Sequence, residues 1–473
     1  MELKANQFKQ AAVIALEDIQ LKTALDRGAR TADGLRIVVM DETTDVEALR
    51  QQGRGAKLRA LSDLPELLEK VEANVTGRGG HVLWAADGDE ANQHVLNICR
   101  EHNLKFGVKS KSMVTEEIGL VPFLKDHGVE MLETDLGEFV VQVDESHPSH
   151  IVAPIIHMTK EKVHDLFVEK LGMEPMEGPV DPTAMTKFAR RLLREKYLEA
   201  DFGITGGNFM IAETGTVAIV TNEGNGRLST SLPRVHIAIV GIEKVVPTWE
   251  DFATLVQTLP RASTGQRMSV YVSMFNGAAG PEGDGPEHFY LILVDNGRSG
   301  IYASEYAEAL SCIRCGACLN TCPIYQNVGG HAYGSVYPGP IGAVITPLLM
   351  GKENASLLPF ASSLCGACKA ACPVDINIPD MLLRLRHDLE QVQDPFWKLG
   401  MKAFGFGFSH PLLFEMGAKF SGVASEMFAE ATGQDKLDQL PPPLNAWTDY
   451  RDFPPFAEES FHEWWRKNRS SQQ

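Results

Sequence analysis

Cys312-Ile-Arg-Cys315-Gly-Ala-Cys318-Leu-Asn-Thr-Cys322-Pro323, followed after a spacer by Ser362-Ser-Leu-Cys365-Gly-Ala-Cys368-Lys-Ala-Ala-Cys372-Pro373, decides how this chain is read. The first run has the spacing C-x2-C-x2-C-x3-C-P, in which short intervals let one loop wrap an iron–sulfur cubane and the proline turns the chain away. The second run repeats it with Ser362 in the first slot. Seven of the 8 cysteines lie in these two runs. Scattered cysteines would suggest secreted disulfides, whereas this clustering suggests thiolate ligands kept reduced in the cytosol.

In two-cluster ferredoxins the fourth cysteine of each run ligates the other cluster. On that rule one cluster takes Cys312, Cys315, Cys318 and Cys372, and the other takes Cys322, Cys365 and Cys368. The expected cofactors are therefore two iron–sulfur clusters of the [4Fe-4S] type, with the second open at one corner. Three outcomes follow for that corner: Ser362 or water binds the fourth iron, the iron is absent and the cluster is [3Fe-4S], or a partner or substrate binds there. Zinc, which also takes four cysteines, fits the doubled spacing poorly. Cys99 lies among apolar residues of an expected helix and reads as a core residue rather than the missing ligand.

Working outward, 473 residues with 44% hydrophobic and 22% charged content fit a globular protein of two or more domains. The net charge of -18 argues against binding nucleic acid. No apolar run approaches the roughly 18 residues of a membrane span. The first ten residues carry no apolar signal region, so a cytoplasmic protein is expected.

The expected domains are a helical arm over residues 1–64, an α/β domain over 65–300, an α-helical two-cluster ferredoxin-type module over 301–390, and an aromatic, proline-rich tail over 391–473. In the arm, Gly53-Arg-Gly55 reads as a loop. Leu64, Leu67, Leu68, Val71 and Val75 share one helical face, with Ser62 as its cap. His81–Ala86 reads as a buried strand, and Asp87 opens the next helix. The unit that follows places a strand near Lys105–Val108 and a helix capped by Thr115. Alternating strands and helices predict α/β layers with a mostly parallel sheet, extended by Phe139–Val143 and Ile151–Ile156. Arg190, Arg191, Arg194 and Lys196 read as a solvated helix face.

Gly203–Asn208 and Asn222–Gly226 are loops that either cradle an anion with backbone N–H groups or simply turn between strands. Glu213 is the candidate catalytic carboxylate. His147, His150 and His157 match no metal spacing, and His331 in the spacer is placed to hydrogen-bond near a cluster.

Taken together, the chain resembles the iron–sulfur B subunit family of the bacterial L-lactate utilization system. The resemblance rests on Lys111–Gly119, Glu133–Glu138, Pro148–Pro154, Gly203–Asn208, Ala212–Thr216, Thr221–Asn225, both cysteine runs, Gly329–Gly334 and Gly339–Ala343. It implies a lactate-utilization domain related to the CoA-transferase and phosphosugar-isomerase folds. It also implies an electron-carrying role in oxidising L-lactate to pyruvate, alongside a cysteine-rich A-type and a lactate-utilization-domain C-type subunit. The serine in the second run belongs to the family's pattern. An alternative is a catalytic subunit whose α/β domain itself binds and oxidises lactate or another small acid. No flavin or nicotinamide fingerprint is present to accept the hydride.

Overall fold

Six parallel strands form the main sheet of the computed structural model. They are β1 (His81–Ala85), β2 (Phe106–Lys109), β3 (Glu130–Glu133), β4 (Phe202–Thr205), β7 (Val235–Gly241) and β10 (His288–Val294), in the order β1-β10-β7-β4-β2-β3. The model describes residues 4–279, 283–389, 395–432, 436–437, 439–440, 445–448, 451–457 and 459–469. Two compact units, Met1–Leu389 and Glu390–Gln473, divide the chain.

The central strands β7 and β10 pair in register from His288 opposite Val235 to Val294 opposite Gly241. Both are nearly continuous apolar runs, as a sheet covered on two faces requires. One face packs on Val95, Leu96, Leu120 and Leu124. The other packs on Leu64, Leu68, Val71 and Val75, the helical stripe legible in the sequence. At Gly203 in β4 a Cβ would stand 1.8 Å from the carbonyl oxygen of Ser229, so only glycine lets helix Asn225–Ser231 lie against the strand.

A second, smaller sheet holds β5 (Phe209–Ile211), β6 (Thr216–Thr221), β8 (Val245–Val246) and β9 (Tyr271–Phe275), ordered β8-β5-β6-β9. Helix Trp249–Thr264, capped by Thr248 and stopped at Gly265, covers it.

The α/β class with a parallel sheet agrees with the sequence, but several elements differ. Phe139–Val143 is not a strand. It belongs to helix Leu136–Val143, because the Asp135 carboxylate accepts the amides of Gly137 and Glu138 and starts a helix there. Ile151–Ile156 adds no strand, and its backbone runs as loop and turn. Ser62 ends helix Val46–Ser62, and Asp63 takes the cap position of helix Leu64–Thr76. Ser112, not Thr115, caps helix Met113–Glu117. Asn225 opens a helix where a loop was expected.

Gly53-Arg-Gly55 is also helical, inside Val46–Ser62. Packing overrides the low helix propensity of glycine: a Cβ at Gly53 would press on the Pro373 carbonyl at 3.3 Å. The N-terminal helices Phe8–Glu17, Ile19–Asp41 and Val46–Ser62 share one apolar core with the cysteine module. Leu25, Met40, Ala56 and Leu61 lie in the same cluster as Ile313, Leu319, Ile341 and Leu382.

The tail carries helices Pro395–Ser409, Pro411–Thr432, Asn445–Thr448 and Phe461–Arg469, a regularity its sequence pattern did not reveal. Among the described residues, no helix is long and apolar enough to cross a membrane.

Candidate iron–sulfur centre and adjoining cavity

Both cysteine runs fold into the same local shape. Arg314 and Gly316 take φ of 60° and 77°, and Leu364 and Gly366 take 55° and 83°. This left-handed twist precedes a single helical turn in each run, Ala317–Asn320 and Ala367–Ala370. In the first run the Arg314 N–H donates to Cys312 Sγ at 3.4 Å, and beyond the second run the Ile376 N–H donates to Cys372 Sγ at 3.4 Å. In the second run the Leu364 N–H donates to Ser362 Oγ at 3.1 Å.

Cys312, Cys315, Cys318 and Cys372 line one small cavity, walled by Ile151, Ile341 and Ile376. The electrostatics group the sulfurs in the same way. Burial pushes the Cys315 thiol up, with Cys372 and Cys312 adding to it. Burial also raises Cys318, with Cys312 and Cys315 adding most and Cys368 contributing as well. Burial, then Cys312, pushes Cys372 up to about 12. On the other side burial and then Cys322 push Cys368 up to about 11, while burial and Cys365 raise Cys322. Exposed Cys365 moves down, chiefly through the Ala367 amide and the Ser363 hydroxyl.

Thiolates gathered this closely repel one another and are stable only around cations, and soft sulfur donors suit iron–sulfur clusters. Among the described residues no three His, Cys, Asp or Glu side chains converge closely enough for a single metal ion. Cys99 is buried with Val95, Leu96 and Leu104, in a core that contains none of the other seven cysteines.

Neighbouring side chains hold this loop system in place. Arg50 donates from Nε to the Cys372 carbonyl at 3.0 Å and from Nη2 to Asp375 at 3.0 Å. Arg54 Nη1 donates to the Asp375 carbonyl and to Glu308, both at 2.6 Å. His150 lies against Gly316, where a Cβ would approach its Cε1 at 3.2 Å. Its Nδ1 accepts the amides of Val152 and Ala153 at 3.0 Å, so Nε2 carries the proton and donates to Asn320 Oδ1. Burial, with Lys111 adding, lowers His150 to about 3 and keeps it neutral. His157 packs edge-on to His331, whose Nε2 meets the His147 carbonyl at 2.6 Å.

A second cavity of about 400 Å³ lies between the sheets and the first cysteine run. It brings together parts of both glycine-rich loops, Gly206, Gly207 and Asn208 with Asn222, Glu223 and Asn225. Glu213 does not line it. Its carboxylate accepts the Trp249 amide at 3.1 Å and caps helix Trp249–Thr264.

Of the charged residues of this cavity, Lys111, Asp135 and Glu223 lie in stretches that carry the family resemblance, Glu243 and Lys244 lie in no motif, and none of the five stands out as a site residue along the chain. Arg314 is marked by its place between two cluster cysteines. Glu243 is bound by Arg298 at 2.7 Å, and Arg298 also pairs with Glu117 at 2.8 Å. Burial opposes ionisation of Glu243, but Arg298, Lys244 and Arg314 outweigh it and hold the carboxyl down to about 2. Burial, then Asp135, pushes Glu223 up to about 7.

Comparison with known proteins gives these features a common origin. Residues 68–294 match the LUD domain, residues 308–376 the 4Fe-4S dicluster domain, and residues 390–470 the C-terminal domain of lactate utilisation protein B. Lactate utilization protein B of Bacillus pumilus is 42% identical over 477 residues, covering 100% of both chains. The Bacillus velezensis protein of the same name is 43% identical, covering 100% of this chain and 99% of the relative. That of Bacillus licheniformis is 42% identical, covering 99% and 98%. A crystal structure of a DUF162 family protein from Deinococcus radiodurans aligns with 49% of this chain and 98% of its own, at 14% identity and a TM-score of 0.28. With a LUD-type α/β domain, an iron–sulfur dicluster module and full-length relatives at this identity, the chain belongs to the lactate utilization protein B family.

Proposed function

We propose that the chain is the iron–sulfur electron-transfer subunit of a cytoplasmic system that oxidises L-lactate to pyruvate. The observation that carries this reading is the grouping of the cysteines. Four sulfurs line one cavity, and Cys322, Cys365 and Cys368 lie outside it. In this reading Cys312, Cys315, Cys318 and Cys372 hold one [4Fe-4S] cluster. Cys322, Cys365 and Cys368 hold the second, with the corner near Ser362 open to a non-cysteine ligand. The clusters supply one-electron steps. The protein supplies their spacing, a largely apolar wall and inward-facing amides, which set potential. The names of the relatives support the lactate context, and a cysteine-rich A-type and a LUD-containing C-type subunit are the companions with which the chain acts in this reading.

Anaerobic reconstitution with the companions tests the proposal. The isolated chain should bind iron and accept electrons but leave lactate unchanged, and lactate oxidation should appear only in the mixture. Turnover by the isolated chain would instead establish the LUD domain as the catalytic site, a reading favoured by the charged cavity beside the first cysteine run.

A further inference from the structure

The 400 Å³ cavity has the size of a small-molecule site, which typically encloses about 300–1,000 Å³. It also holds buried cationic N–H groups that no acceptor in the protein meets. The Arg314 side chain is only 8% exposed, yet its Nη1 has no hydrogen-bond partner. Its nearest carboxylate, Glu243, stands 3.6 Å away and is already engaged by Arg298 at 2.7 Å. The guanidinium otherwise lies over the Tyr337 ring at 4.4 Å, which fixes its plane but offers no acceptor. Lys111, at the same cavity, also has a buried ammonium nitrogen without a partner. Lys244 adds a third cation to the lining.

A buried N–H left without an acceptor is costly. The anions that already face these groups do not complete their hydrogen bonding. Asp135 and Glu223 line the cavity, but neither bonds the Lys111 ammonium. Cys312 Sγ is met by the backbone amide of Arg314. A planar fork with a free N–H at the lining of a cavity suits a carboxylate. Polar groups from Asn208, Asn222 and Gln266 line the rest of the cavity and suit a hydroxyl or keto oxygen.

We infer that this cavity is a binding site for a small organic acid whose carboxylate is held by Arg314, with Lys111 as a second cationic contact. The inference goes beyond electron transfer by the clusters and stands if that reading fails. It also couples the site to the first cluster. The residue whose side chain would grip the acid is the one whose amide bonds Cys312 Sγ, so occupancy should be felt at the cluster that Cys312 ligates.

The test uses the full chain with its clusters reconstituted anaerobically. Equilibrium dialysis with labelled L-lactate and labelled pyruvate should give saturable binding of at least one acid. Inorganic phosphate, which the fork accepts but whose higher charge meets Asp135, Glu223 and Glu243 in the same lining, should compete poorly. Arg314→Leu and Lys111→Met should each weaken binding about tenfold or more, the scale of one charge-assisted hydrogen bond. Because Arg314 sits inside a cysteine run, Lys111→Met is the variant expected to keep iron content and spectra unchanged. The bound acid should also shift the electron paramagnetic resonance signal of the Cys312 cluster. Absence of saturable binding at millimolar acid, undiminished binding by Lys111→Met, or phosphate binding as tight as the acids would each overturn the assignment.

Discussion

Ser362 and Cys312 hold equivalent places in the two runs: Ser362 Oγ accepts the Leu364 amide at 3.1 Å, as Cys312 Sγ accepts the Arg314 amide at 3.4 Å. The serine therefore fills the geometric role of the first cysteine in its loop. Ser362→Cys should fold normally and present a fourth thiolate to the second cluster. Iron analysis should then rise from about seven toward about eight atoms per chain, with a matching change in the resonance spectrum. Unchanged iron and spectra would mean that this corner is closed from elsewhere.

Cys318→Ala should damage the cluster that also uses Cys372 and leave the Cys322, Cys365 and Cys368 cluster in place. The basis is the shared cavity of Cys312, Cys315, Cys318 and Cys372. Selective loss of the other cluster's signal would refute the crossed assignment.

Glu117→Gln should destabilise the protein by about 1.5–3 kcal/mol, the scale of a lost charge-assisted hydrogen bond, because Arg298 keeps its pairing with Glu243. Glu117 and Arg298 are fully enclosed, and Tyr337 Oη donates to the same carboxylate at 2.5 Å. Because Tyr337 belongs to the spacer between the runs, the damage should reach the module. Anaerobic urea denaturation followed by both far-ultraviolet dichroism and cluster absorbance should show the two signals lost together at lower urea.

His236 predicts an acid-sensitive term. Burial among Phe275 and Phe289 lowers it to about 3, well below the ordinary histidine value of about 6.5. The folded state therefore keeps it neutral while the unfolded state takes up a proton. Its contribution is complete above about pH 6.5 and falls as pH drops toward about 3, by up to about 1.4 kcal/mol per pH unit. His236→Phe should flatten the decline in stability between pH 6.5 and 5 relative to the parent. Parallel pH profiles would show that His236 is not the source.

The sequence revealed the parts of this molecule that depend on local pattern. The cysteine runs declare their chemistry by spacing, and β7 and β10 declare themselves as apolar runs. Phe139–Val143 has the same apolar character, and only Asp135, four positions before Phe139, decides for a helix. Gly53 and Gly55 look like a loop because glycine disfavours helices; the close approach of Pro373 gives Gly53 its reason, and that contact is invisible along the chain. The cavity was least legible. Lys111, Lys244 and Arg314 meet only because the fold brings three distant segments together, and no spacing rule links them.

The clasp of Arg50 on Asp375 also has a consequence in time. The two residues are 325 positions apart, and a ribosome adding about 5–20 residues per second needs roughly 15–65 s to make that stretch. Throughout that interval the N-terminal helices exist without the segment that covers Leu25, Ala56 and Leu61. The newborn chain is thus expected to be a chaperone client until its last cysteine emerges, and iron delivery is tied to the end of synthesis rather than to its beginning.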